Sequence, residues 1–246
     1  MRALILLALT LVATLVRAEP ANPAAFGHVF DLAGIRLLCE QSAPLIQRGL
    51  SKAQQAEVEK AFAADLLCAD LAQRVAPKLD ASQLKQAEAL LDSPLAQRFT
   101  AAERALGESG GAQALASYRA QLGTQPPRAP RVALVRRLDS AAHTTELAAL
   151  LRYEVGKTQA LLALKARGQS LTEQELSSQT AAQVEPLRVS SAQAVESFML
   201  YAYRQMPSEQ LADYAVLYEQ TPVSLLLQET VQALPEVFAA RRAALK

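Results

Sequence analysis

The sequence predicts an all-α protein, built as two pseudo-repeated helical bundles that a proline-rich linker joins. Ala, Leu and Gln dominate the 246 residues, only 9 are Gly, and β-branched residues are few; this composition favours helix. Hydroxyl or acidic residues next to Pro or before apolar runs recur as helix starts. Landmarks of the first half also return in the second half. These three observations together define the expected architecture.

Residues 1–18 have the pattern of a secretory signal peptide. Arg2 precedes an apolar run over residues 3–15, and Val16, Arg17 and Ala18 follow it. Cleavage is expected after Ala18, which predicts a periplasmic or secreted protein. The alternative is an uncleaved membrane anchor, but the run falls short of the roughly 20 residues that span a bilayer.

The charge of the chain argues against a polyanionic partner. The formal net charge is +1, and loss of Arg2 and Arg17 with the signal peptide would bring it to −1, because residues 1–18 contain no acid. A near-neutral chain has no electrostatic reason to bind nucleic acid. No later segment is long and apolar enough to predict stable membrane insertion after cleavage.

Cys39 and Cys68 are the only cysteines. In an oxidising compartment two thiols usually pair, so a disulfide between them is predicted. In the chain-entropy model it would stabilise the first half by about 3–4 kcal/mol. A redox pair and two separately buried thiols are the alternatives, although no Cys-x-x-Cys spacing supports the redox pair.

The first bundle is expected over residues 19–122. Asn22 and Pro23 predict a helix through about residue 38, which Gly34 weakens without ending. The helix that begins at Ser51 is expected to run to Pro77, because apolar residues recur along it at about the 3.6-residue spacing of a helix. Further helices are predicted to start at Ser42, Asp80 and Ser93 and at residue 112.

A connector and a second bundle follow. Residues 123–130 contain three prolines and predict a stiff, extended linker. Residues 131–246 then form the second bundle, in which Thr172 and Glu175 have the spacing of a capping box. Pro186 is expected to break or kink its helix. Three later starts are predicted at Ser208, Thr221 and Pro235.

Matched landmarks indicate an internal duplication. Leu37 aligns with Leu150 at an offset of 113, and Ser93 aligns with Thr221 at an offset of 128. An offset that rises along the chain is what a duplication with small insertions produces. The alternative is two unrelated helical halves that share only their cap chemistry.

The segment over residues 90–97, Leu-Leu-Asp-Ser-Pro-Leu-Ala-Gln, resembles the signature of an exported bacterial family known as domain of unknown function 2059. Members show an aromatic pair, one residue, Ser-Pro, one residue and Gly-Gln; here Leu90 and Leu91 replace the aromatics and Ala96 replaces the Gly. In the second half, Tyr218 keeps one aromatic and Ser224 takes the Gly position. The resemblance implies export and a helical fold but no catalytic residue.

Catalytic and metal-binding patterns are sparse, so no cofactor or metal is predicted and an enzyme is the less favoured class. His28 with Asp31, and His143 with Glu146, have i,i+3 spacing, but two ligands are too few for a metal site. The Gly156-Lys157-Thr158 triplet lacks the first glycine of a phosphate-binding loop.

An aromatic cluster in the second half is the strongest binding candidate. It predicts a groove formed by Phe198, Tyr201, Tyr214 and Tyr218, with Tyr203 nearby. The favoured function is a non-catalytic interaction module for an extracytoplasmic protein or an apolar segment. The alternatives are a carrier of a small or apolar ligand and an unrecognised hydrolase, each with its site between the halves. The cluster could also be ordinary core.

Overall fold

The structure, a computed structural model, describes residues 19–245, and this part of the chain is all-α, as predicted. The helices are α1 (Phe26–Leu32), α2 (Ile35–Ile46), α3 (Lys52–Ala61), α4 (Ala64–Val75), α5 (Ala81–Leu91), α6 (Pro94–Arg104), α7 (Gly111–Gln121), α8 (Ala129–Ala142), α9 (Thr144–Lys165), α10 (Glu173–Thr180), α11 (Val184–Ala202), α12 (Ser208–Glu219) and α13 (Thr221–Ala243). The predicted signal peptide lies outside the described residues.

Cap chemistry sets several helix starts where the sequence predicts them. Ser51, Asp80 and Thr172 each close a capping box, in which the side chain accepts the backbone N–H three residues on and that residue's side chain bonds back. Ser93 caps α6 by accepting the N–H of Ala96, and Pro94 occupies the first helical position. Each cap satisfies an otherwise unpaired backbone group and is worth about 1 kcal/mol.

Two predicted helices of the first half are each broken in the structure. Gly34 does end the first helix, because its φ of 73° is left-handed and separates α1 from α2. The helix expected from Ser51 to Pro77 breaks after α3, at residues 62 and 63, and resumes as α4. The break turns the chain so that Phe62 and Leu67 are both fully buried.

Two helix starts that the sequence predicts beside prolines are absent from the structure. Pro44 lies inside α2 and Pro235 inside α13, so neither the short helix predicted from Ser42 nor the start at Pro235 exists. The buried neighbours Ile46 and Phe238 continue the apolar faces of these helices, and their packing outweighs the lost backbone bond. The break expected at Pro186 is present, because α10 ends at residue 180 and a 3-10 turn over residues 181–183 separates it from α11. Pro186 lies in the first turn of α11, where its missing N–H costs little.

One hydrophobic core runs through both halves of the chain. Helix α13 packs on α4 and α5 of the first half and on α9 of the second, while α2 packs on α9 and α8 on α12. The proline-rich connector is irregular over residues 122–128, and Pro130 already belongs to the first turn of α8. The separation into two bundles and the internal repeat stay predictions.

Candidate functional site

A cavity of about 270 Å³ lies where α2, α8, α9, α11 and α12 meet. It is lined by both halves of the chain, since Leu37 and Leu38 come from the first half and Leu138, Leu147 and Leu151 from the second. Its lining also includes small side chains, among them Ala33, Ala142 and Ala148. The cavity is therefore a mainly apolar space with helices on several sides.

Three of the four predicted binding residues line this cavity, namely Phe198, Tyr214 and Tyr218. Tyr201 does not. It follows the cavity-lining Met199 by two positions, or roughly 200° around the helix, so it points elsewhere. Its ring packs 5.2 Å from that of Tyr118.

The tyrosines form a compact aromatic cluster at one end of the cavity. The ring of Phe99 stacks on that of Tyr214 with centroids 4.1 Å apart, and the ring of Tyr203 lies 4.9 Å from Phe99. Tyr214 also meets Tyr218 edge to face at 5.1 Å. Aromatic pairs of this kind stabilise the fold by more than the burial of their surface area alone accounts for. The cluster gives this end of the cavity a rigid aromatic wall.

Glu103, at the end of α6, brings a carboxyl group to the same end of the cavity. The hydroxyl of Tyr203 donates a hydrogen bond to Oε1 of Glu103. Burial raises the pKa of Glu103 above its ordinary value, against the lowering effects of that bond and of Arg104. The site thus holds a carboxyl group for which ionisation is costly.

The remaining hydroxyls form a second polar pair. Those of Tyr214 and Tyr218 lie 3.2 Å apart, so one O–H of the pair is left to donate. Burial, and then the charge of Glu103, raise the pKa of Tyr218 to about 12. Both hydroxyls therefore stay protonated and can act as donors or acceptors to a bound molecule.

Sequence reasoning missed Glu103, although a signal for it exists. Leu95, Phe99 and Glu103 recur at four-residue spacing on one face of α6. An acidic residue on the same helix face as a buried Phe is expected to lie close to the core rather than fully in solvent. Tyr203 belonged to the predicted cluster but not to the predicted binding residues, and the structure places it at the centre of the polar end.

A second cavity, of about 520 Å³, lies at the corner between α8 and α9. His143 makes this corner with a left-handed φ of 52°, and its Nδ1 lies 2.8 Å from Oε2 of Glu146. Asp139 accepts hydrogen bonds from the backbone N–H and the hydroxyl of Thr145, which fixes the start of α9. Ser140 also lines the cavity, but no hydrogen bond joins it to His143 within residues 19–245.

The other predicted pairs have different surroundings. His28 lies 4.0 Å from Glu88 on the surface rather than against Asp31. Among the described residues no three His, Cys, Asp or Glu side chains are grouped to hold a metal. Cys39 and Cys68 are free thiols whose closest approach is 2.6 Å. Their contact raises the pKa of Cys39 and lowers that of Cys68.

Comparison with known proteins found no matching family model, curated protein or solved structure. Within residues 19–245 no helix combines the length and the apolar character needed to cross a bilayer.

Proposed function

We propose that this protein binds a small, mainly apolar molecule in the cavity between its two halves, without transforming it. The observation that carries the proposal is the cavity itself, whose lining is mainly apolar and includes one cluster of polar groups formed by Glu103 and the tyrosines. Gln41 and Thr144 are its other polar lining residues. A cavity of about 150 Å³ lined by apolar side chains is enough to hold benzene. At about 270 Å³ this cavity has room for a substituted aromatic ring.

The burial of the tyrosines favours a small ligand over the protein partner that the sequence favours. Tyr203 and Tyr214 are only 1% and 2% exposed, so a flat protein surface has no access to them. At the cavity, Leu37 is 55% exposed and offers an apolar rim through which a ligand can enter. A partner protein that inserts a single apolar side chain at this rim is the alternative.

Filling the cavity should abolish binding. In the variant Ala148→Phe, a ring replaces a small wall residue of α9 and occupies the space that a ligand needs. We expect toluene, ethylbenzene or indole to raise the melting temperature of the wild type, because a ligand that binds only the folded state stabilises it. The same ligands should leave the melting temperature of Ala148→Phe unchanged, as measured by calorimetry.

The matched control is Ala163→Phe, which adds the same ring on the exposed face of α9. This variant should respond to the ligands as the wild type does. Equal ligand responses in Ala148→Phe and the wild type would contradict binding in this cavity.

We also propose that the chain is exported and that Cys39 and Cys68 form a disulfide after export. The pattern of residues 1–18 and the resemblance to the exported family support export. The contact between the two residues supports the bond, because side chains that approach to 2.6 Å need little movement to be joined. Two thiols already in contact are the expected precursor of such a bond in an oxidising compartment.

Exported material should therefore be lighter by two hydrogens than the same chain after reduction. Intact mass measured under non-reducing conditions tests this, and a Cys68→Ser variant should show no such difference. Two free thiols in freshly isolated, unreduced material would refute the disulfide.

A further inference from the structure

We propose that the molecule held in the cavity is an apolar primary amine, bound as its ammonium ion by the carboxylate of Glu103. This inference rests on the proposed function and names the chemical class of the ligand. It concerns only the polar end of the cavity, where Glu103, Tyr203, Tyr214 and Tyr218 meet.

The carboxyl group of Glu103 has acceptor capacity that the described residues leave largely unused. Tyr203 donates to Oε1, and no other hydrogen bond to Glu103 occurs among residues 19–245. Its side chain lines the cavity, so the remaining acceptor sites are open to a ligand. A ligand that donates a hydrogen bond there would complete the coordination of the carboxylate.

Glu103 also lacks a cation of its own. The ion pairs of the described residues include no partner for Glu103. Glu103 is half-buried, so its carboxylate has lost part of its hydration, and without a counter-charge that loss is costly. An ammonium group supplies that charge, whereas an alcohol supplies only a hydrogen bond and a carboxylate ligand would be repelled. The charge balance of the site therefore selects a cation.

The groups around Glu103 suit an ammonium ion in two further ways. The hydroxyl oxygens of Tyr203, Tyr214 and Tyr218 can accept its remaining N–H bonds, and aromatic rings attract cations. Glu103 is also in the last turn of α6, where the negative end of the helix dipole favours positive charge. Arg104 is the nearby cation whose charge opposes binding, although it is exposed to solvent.

The size of the cavity limits the apolar part of the amine. Scaled from benzene in about 150 Å³, the volume of about 270 Å³ suits on the order of ten non-hydrogen atoms. Phenethylamine has this size, with one ring to fill the apolar walls and one ammonium to reach Glu103. Phenethyl alcohol and phenylpropionate match its shape with a neutral and an anionic end, and ethylbenzene lacks a polar end.

Isothermal titration calorimetry of the full chain with these four compounds tests the inference. In the wild type, phenethylamine should bind at least about tenfold more tightly than phenethyl alcohol, because its hydrogen bond to Glu103 is charge-assisted. Phenylpropionate should bind most weakly. In Glu103→Gln the amine should lose about tenfold or more in affinity while the alcohol changes little, since the glutamine keeps the shape and removes the charge.

The pH profile supplies a second readout. Amine binding requires the ionised carboxylate, so its affinity should rise as pH rises through the raised pKa of Glu103. Tyr203, Tyr214 and Tyr218 stay neutral over this range, because burial raises their pKa values. The alcohol should show no such rise, and Glu103→Gln should abolish it for the amine.

The outcomes separate this inference from the proposed function. Equal affinities for amine, alcohol and ethylbenzene, unchanged in Glu103→Gln, would overturn the amine and leave the cavity as an apolar site. Failure of all four compounds to bind the wild type would overturn both. If Glu103→Gln does not fold, Tyr203→Phe replaces it. Losing the donor should raise the pKa of Glu103 further and weaken amine binding at neutral pH, and an unchanged amine affinity would count against the inference.

Discussion

Replacing Arg242 with Met should lower the free energy of unfolding by about 3–5 kcal/mol, because it removes one partner of a buried ion network. The guanidinium of Arg242 is 1% exposed and meets Glu173 through two nitrogens, at 3.0 Å and 2.6 Å. Its Nη1 lies 2.6 Å from Oε2 of the 2%-exposed Glu154, off the direction that a hydrogen bond requires. Without the cation, Glu154 would be left buried with much less compensation.

The rest of the network explains why the loss should be large. Lys157 lies 2.5 Å from Oε1 of Glu173 and donates to Ser177 at 2.6 Å, so it is already committed and cannot replace the guanidinium. The network links α13 to α9 and α10. Urea denaturation followed by circular dichroism measures the effect.

The control for this variant is Arg136→Met, which removes an exposed arginine paired with Glu196 at 2.6 Å. Exposed ion pairs contribute little, since water screens them. The denaturation midpoint should therefore stay close to that of the wild type. Similar losses in the two variants would refute the special role of the buried network.

Truncation of Phe238 to Ala should cost about 3–5 kcal/mol and destabilise both halves of the chain together. Phe238 is fully buried in α13, and its ring lies 5.4 Å from that of Phe62, which follows α3 in the first half. Because α13 packs on α4 and α5 as well as on α9, the cavity left by the ring opens into a shared core. We expect a single unfolding transition at lower denaturant.

Hydrogen exchange locates the loss within the chain. Amide protection should fall in α4 and α5 as well as in α9, since these helices unfold with α13. Val216→Ala, at a side chain that is 41% exposed on α12, is the matched control and should change stability by at most about 0.5 kcal/mol. Two separate transitions, with the first half unaffected by Phe238→Ala, would instead indicate independent bundles.

The helix caps could be predicted from the sequence, because the two residues that form each cap are close together along the chain. The cap of Asp80 needs only Gln83, and the cap of Thr172 needs only Glu175. Composition predicted the helical class for the same reason, since helix propensity is a property of each residue and its near neighbours. The sequence also predicts the aromatic cluster, because most of its aromatic residues lie close together between positions 198 and 218.

Contacts between residues that are distant in sequence could not be predicted. Gly34 ends a helix and Pro235 does not, because the outcome at each depends on which side chains the neighbouring helices bury. The sequence does not show which of Tyr201 and Tyr203 faces the cavity, because this depends on how α11 is rotated relative to α12. The site at Glu103 depends on Tyr203, which lies 100 residues away along the chain.

The amino-acid sequence by itself thus determined the helical class, the main capped helix starts and the aromatic-rich segment, since each depends on interactions within a few residues. Tertiary structure alone decided that α13 joins both halves in one core, that a cavity remains between them, and that Glu103 faces it. These features arise where helices that are distant in sequence pack together. The burial of apolar side chains stabilises this packing, and the residues involved are too far apart along the chain to form a local sequence pattern.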